Sequence, residues 1–89
     1  MTYQAQWTHK ALKDLLLIGN SIADRITKKV DAYCSNANPL RYAKALKGDF
    51  QGLYRFRIGD YRAVFQKQAD GTLTILLILR VKHRKDIYD

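Results

Sequence analysis

Polar and apolar residues alternate at the start of the chain. In TYQAQW, Tyr3, Ala5 and Trp7 fall on one side and Gln4 and Gln6 on the other, the period of a half-buried strand. From His9 the period lengthens. Ala11, Leu12, Leu15 and Leu16 recur at helical spacing and predict a helix over HKALKDLLLIGN, with Thr8 as its cap and Gly19 as a left-handed stop. Ser21 is positioned to open a second helix, with Asp24 near its positive end. Ile22, Ile26, Val30 and Tyr33 form its apolar stripe, and Lys28 and Lys29 face outward or bridge to a partner. The short link between the two predicts an αα-hairpin.

SNANP, with the single proline at Pro39, reads as a turn, and LRYAKALKG as a short helical turn ending at Gly48. Three strand-like runs follow: LYRFRI, YRAVFQ and TLTILLILRV. Gly59-Asp60, with glycine first, suits a type II′ turn, and Asp70-Gly71 a type I′ turn. The expected architecture is one α+β domain spanning residues 1–89. An N-terminal strand and a helical hairpin pack on a mainly antiparallel four-stranded sheet.

The Gly59-Asp60 turn sets a register. Ile58 faces Tyr61, Arg57 faces Arg62, Phe56 faces Ala63 and Arg55 faces Val64. Directly opposed residues share a face, as do residues two apart on one strand. Arg55, Arg57 and Arg62 therefore gather on one face. Tyr54, Phe56, Ile58, Tyr61, Ala63 and Phe65 take the other, the core beneath the helices. Like charges directly opposed across a sheet oppose folding. A multivalent anion between them offsets that, and the planar guanidinium fork is suited to phosphate. A solvated basic face, with Asp60 and Asp70 nearby, is the plainer explanation of the same pattern.

Charge extends the picture. The formal net charge is +8, all eight acidic residues are Asp, and basic residues are spread evenly along the chain. Any positive patch is therefore made by folding, and it favours polyanions. With 47% hydrophobic and 27% charged residues, the composition is that of a folded chain rather than a disordered one. A lone cysteine, Cys34, excludes an internal disulfide and a cysteine-built metal site. It fits a reducing cytoplasm. The start of the chain lacks the basic-then-apolar pattern of a signal peptide. The longest apolar run, ILLIL, is too short to span a bilayer as a helix.

The C-terminal RVKHRKDIYD adds Arg80, Lys82, His83, Arg84, Lys85 and Tyr88. Turned over the arginine face, this segment would bring cations, an imidazole and a phenol to one place. Cations stabilise charge building on phosphoryl oxygens, histidine exchanges a proton near neutral pH, and tyrosine stacks on a base. Singly, each has a duller explanation: an exposed histidine, a solvated lysine, a hydrophobic latch at Tyr88.

LKGDFQGLYRFRIGDYRAVFQ followed by ILRVKHRKDIYD resembles the RelE-type toxins of the RelE/ParE superfamily, the toxin halves of type II toxin–antitoxin pairs. The pattern is carried by Leu46 and Gly48, Tyr54-Arg55-Phe56-Arg57, Gly59-Asp60-Tyr61-Arg62, and His83-Arg84 with Tyr88. The resemblance implies a ribosome-dependent endoribonuclease that cuts mRNA in the A site. The RNA's own 2′-hydroxyl attacks the adjacent phosphate, with no metal or cofactor. By position, Arg55 and Arg57 match basic residues that orient the nucleophile and bind phosphate, and Arg62 matches an arginine that stabilises the transition state. Lys82 matches a residue associated with leaving-group protonation, and Tyr88 one that stacks on a flipped base. Some relatives have lysine where this chain has Arg55 and Arg57. Arginine is a poor general base, which leaves His83 as a candidate acid or base. Arg80, Lys82 and Arg84 join the implied RNA-binding set. The implied partners are an acidic RelB-like antitoxin, the ribosome and mRNA, without a membrane. Two other functions stay open: a ParE-like toxin that binds DNA gyrase and cuts nothing, and a degenerate member that only binds a partner.

Overall fold

A computed structural model describes residues 2–86 of the chain. Strand β1 (Thr2–Trp7) leads into helices α1 (His9–Ile18) and α2 (Asn20–Cys34). A 3-10 turn at Pro39–Tyr42 precedes β2 (Ala43–Ala45), and a second at Gly48–Phe50 precedes β3 (Tyr54–Ile58). Strands β4 (Tyr61–Asp70) and β5 (Leu73–His83) follow, and a 3-10 turn at Arg84–Asp86 ends the described chain. The sheet order is β1-β5-β4-β3-β2. β1 runs parallel to β5, and the other pairs are antiparallel. The α+β architecture is the expected one, with five strands instead of four. The extra strand comes from LRYAKALKG, expected to be helical. Its helical part stops at Tyr42, and Ala43–Ala45 pairs with Tyr54–Phe56 instead.

The two helices cover one face of the sheet. Ala11, Leu15, Ile26 and Val30 meet Phe56, Ile58, Ala63, Phe65, Leu76, Ile78 and Val81 in one core. Phe56 and Phe65 stack with ring centroids 4.5 Å apart, an arrangement worth about 0.5–1.5 kcal/mol beyond area burial. In β1 the alternation holds: Tyr3, Ala5 and Trp7 pack on the core while Gln4 and Gln6 face out.

Thr8 caps α1 as expected, its hydroxyl accepting from the Ala11 amide at 3.1 Å. The same hydroxyl donates to the Leu79 carbonyl at 2.9 Å, tying the helix start to β5 just past the end of β1. Gly19 ends the helix at φ 103 and ψ 154, an extended conformation open to glycine and not the expected left-handed helical cap. It also serves as the N-cap of α2, which begins at Asn20, so Ser21 is inside the helix and not its cap.

The expected stripe of α1 is corrected. Ala11 and Leu15 are buried, but Leu12 is 48% and Leu16 78% exposed. The inward row is Ala11, Asp14, Leu15 and Ile18, spaced i, i+3, i+4, i+7. The β4–β5 turn also moves by one residue. Asp70 pairs with Leu73, leaving Gly71-Thr72 as the loop. Gly71 has φ +62, and no described residue other than glycine has positive φ. A type I′ turn needs positive φ at both central positions, so glycine-first geometry of the II′ kind replaces it. Among the described residues, no helix is long and apolar enough to cross a membrane.

Candidate functional site

The β3–β4 register is the expected one, pair for pair: Ile58 with Tyr61, Arg57 with Arg62, Phe56 with Ala63, Arg55 with Val64. Gly59 adopts φ +59, the sign required at the first position of a II′ turn. Arg55, Arg57 and Arg62 thus share the face turned away from the helices. They differ in setting. Arg57 is exposed, Arg55 is half-buried, and Arg62 is only 4% exposed. The Arg62 Nη1 donates to the Gly59 carbonyl at 3.0 Å and the Tyr61 carbonyl at 2.9 Å, so this side chain also braces the hairpin turn.

A bulge decides what β5 adds to this face. Val64 pairs with Arg80 but Phe65 pairs with Ile78, leaving Leu79 as the extra residue. Inward-facing positions therefore switch from Leu76 and Ile78 to Val81, since one inserted residue reverses the alternation. Arg80 and Lys82 are delivered to the arginine face, Lys82 directly across from Arg62. His83 pairs with Tyr61 and goes to the opposite side, its ring edge-on to Tyr61 at 5.4 Å. The expectation that His83 joins the arginines is corrected by this register. His83 lines a cleft of about 200 Å³ with Asp14, Leu17, Ile18, Tyr61 and Lys82, and its Nδ1 accepts from the Lys85 amide at 3.3 Å. Arg84 is exposed, with Nε 3.7 Å from the Asp60 carboxylate. Tyr88 lies outside the described residues.

Asp14 is the residue that sequence reasoning missed. β1 pairs with β5 only as far as Ile78, so the next stretch of β5 has an uncovered edge. The Asp14 carboxylate fills it. Oδ2 accepts from the Val81 amide at 2.9 Å and from Arg80 Nε at 2.9 Å, and Oδ1 accepts from Arg80 Nη2 at 3.1 Å. The Lys82 ammonium is 3.9 Å from Oδ1. Burial works to raise the carboxyl pKa. The Arg80 and Val81 hydrogen bonds, with the attraction of Arg80 and Lys82, outweigh it and hold the group below its ordinary 3.8. The signal was present in the sequence: an aspartate in the middle of an i, i+3, i+4, i+7 row.

Beside the arginines is a shallow apolar pit of about 120 Å³, lined by Leu46, Phe50, Leu53, Val64, Leu79 and Arg80. Val64, in its lining, is flanked across the strands by Arg55 and Arg80. The Cys34 thiol pKa is raised by burial and by Asp31, which disfavours a reactive thiolate. Among the described residues, no group of three or more His, Cys, Asp or Glu side chains is placed to hold a metal ion.

A basic, non-helical sheet face backed by a helical hairpin matches known proteins over nearly its whole length. The family model described as ParE toxin of type II toxin–antitoxin system, parDE, matches residues 5–88. The chain belongs to that family, within the RelE/ParE superfamily expected from its motifs. It is 33% identical over 91 aligned residues to Toxin RelG of Mycobacterium tuberculosis, covering 99% of this chain and 98% of RelG. To Toxin RelE3 of Methanocaldococcus jannaschii it is 35% identical over 82 residues, covering 88% and 86%. A chain in the crystal structure of the toxin–antitoxin complex RelBE2 from Mycobacterium tuberculosis superposes with a TM-score of 0.72 at 25% identity. That match covers 94% of this chain and all of that one.

Proposed function

We propose that this toxin is a ribosome-dependent endoribonuclease that cuts mRNA in the A site. The observation that carries this reading is the placement of Arg55, Arg57 and Arg62 on one sheet face, with Lys82 joining Arg62 across the β4–β5 ladder. The 2′-hydroxyl of the RNA attacks the neighbouring phosphorus, and the bond to the 5′-oxygen breaks. The products are a 2′,3′-cyclic phosphate and a 5′-hydroxyl, and the proton lost by the nucleophile is balanced by one gained by the leaving oxygen. Arg55 and Arg57 hold the non-bridging oxygens and orient the nucleophile, a task for fixed guanidinium donors. Arg62 faces the charge that builds in the transition state. Its 4% exposure means that its cover must shift for it to touch an RNA oxygen. Lys82 is the group able to exchange a proton on this face. His83 alternates to the other face of β5 but shares a cleft with Lys82, so it is the second group proposed for proton exchange, and Tyr88 keeps its proposed stacking role.

The proposed partner is an acidic RelB-like antitoxin. The relative in the RelBE2 structure is held in a toxin–antitoxin complex, and the +8 charge of this chain suits an acidic partner. Exposed Leu16 and Leu17 on α1, at 78% and 87%, supply apolar surface for such a segment. The proposed setting is the cytoplasm, where ribosomes and mRNA are.

The description of the matching family as ParE favours a second reading, inhibition of DNA gyrase without nuclease activity. One experiment separates them. Purified protein is incubated with programmed ribosomes, and separately with gyrase, relaxed plasmid, ATP and magnesium. Cut mRNA with normal supercoiling supports the nuclease, whereas intact mRNA with blocked supercoiling supports the second reading.

A further inference from the structure

Two cations of β5 stand two residues apart, yet their surroundings differ. Arg80 gives two hydrogen bonds to Asp14, at 2.9 and 3.1 Å, in a paired, planar arrangement. Lys82 stands 3.9 Å from Asp14 Oδ1 and makes no paired contact of that kind among the described residues. The Asp14 side chain is 8% exposed and that of Arg80 is 40% exposed. The carboxylate cannot easily follow Arg80 outward, because its Oδ2 also accepts from the buried Val81 amide. A guanidinium used this way has less to offer a phosphate: its fork faces a carboxylate already, and its charge is balanced at contact distance.

We propose that Asp14 is a positioning residue that withholds Arg80 from nucleic acid, leaving phosphate contact on this face to Arg57 with Lys82 beside it. A strand of alternating cations would otherwise bind any polyanion through all of its charges. By tying one of them to α1, Asp14 trims non-specific affinity and keeps the phosphate track on β3 and the end of β5. The same carboxylate closes the exposed edge of β5, so the charge pattern and the packing of α1 are set together. This inference rests on the functional reading only for naming RNA as the polyanion.

The salt dependence of binding tests it. Each phosphate contact to a single strand contributes about −0.7 to the slope of log K against log salt. Binding of a fluorescent single-stranded RNA would be measured between low and moderate salt for the whole chain and its variants. Arg57→Gln is expected to flatten the slope by about 0.7. Arg80→Gln is expected to leave it unchanged. Asp14→Asn, which keeps an acceptor for the Val81 amide, is expected to steepen it by about 0.7. Asp14→Asn with Arg80→Gln is expected to restore the starting slope. Asp70→Asn, an equal charge change at the far end of β4, controls for net charge and is expected to leave the slope alone.

Flattening by Arg80→Gln as large as that of Arg57→Gln would overturn the inference. So would an unchanged slope in a folded Asp14→Asn protein. If Asp14→Asn does not fold, the comparison of Arg80→Gln with Arg57→Gln decides alone. The expected slopes with uncut mRNA would remove the nuclease reading and keep the role of Asp14. Cut mRNA with a flattened Arg80→Gln slope would do the reverse.

Discussion

Arg57 and Arg62 stand directly opposite each other across the β3–β4 hairpin, one exposed and the other buried and hydrogen-bonded to the turn. Replacing Arg57 removes a like-charge opposition and little packing. Arg57→Thr is expected to raise folding stability by about 0.2–1 kcal/mol while weakening RNA binding. Urea unfolding and RNA titration of one sample check both signs. Lower stability would show that the opposition is already relieved in the free protein.

Arg62 behaves differently. Arg62→Ala deletes the donors to the Gly59 and Tyr61 carbonyls, so it is expected to cost roughly 1–3 kcal/mol of stability as well as activity. Loss of cutting in that variant is ambiguous unless its folding is measured alongside. Arg62→Lys keeps the charge but not the planar fork. It is expected to be more stable than Arg62→Ala and still cut poorly, which a melting curve and a single-turnover rate would show.

α1 offers a contrast within two residues. Leu15 is 8% exposed and packed in the core, whereas Leu16 is 78% exposed. Leu15→Ala is expected to destabilise by about 2–5 kcal/mol and Leu16→Ala by less than about 0.5 kcal/mol. Thermal melts of the two variants check the assignment of the buried row. Equal losses would contradict the helix orientation described above.

Asp14 makes a pH prediction. Its folded-state pKa is held below the ordinary 3.8, so the stability it contributes is fully present above that value. It is lost as pH falls through the lower, folded value. Wild type is therefore expected to be more stable than Asp14→Asn at pH 6, with the gap closing below about pH 4. A gap that does not change with pH would show that the carboxylate charge is not what Asp14 contributes.

Much of this was legible in the sequence, for reasons that differ by element. The β3–β4 register followed from a glycine-first two-residue turn, and period-2 alternation then placed every side chain from Tyr54 to Phe65. Thr8 and Gly19 punctuated α1 as their chemistry suggests. The misses share a cause: tertiary packing chose between locally equivalent patterns. Leu12 and Leu16 fit a helical stripe as well as Asp14 and Ile18 do, and the open edge of β5 selected the aspartate. Ala43–Ala45 has no strong strand preference and becomes a strand because β3 lies beside it. The bulge at Leu79 leaves no mark in the uninterrupted run TLTILLILRV. That single residue decides that Lys82, and not His83, shares the face of Arg62.

Arg57 is the cleanest probe of the central claim, because it is exposed and sits on the arginine face without bracing the turn. The decisive measurement is the single-turnover rate of ribosome-bound mRNA cleavage for wild type, Arg57→Gln and Lys28→Gln, a control at an exposed cation of α2. Loss of one charged hydrogen bond to the reacting phosphate predicts a fall of about 10- to 100-fold for Arg57→Gln, with Lys28→Gln unchanged. Cutting by Arg57→Gln at the wild-type rate would contradict a phosphate site built on this sheet face.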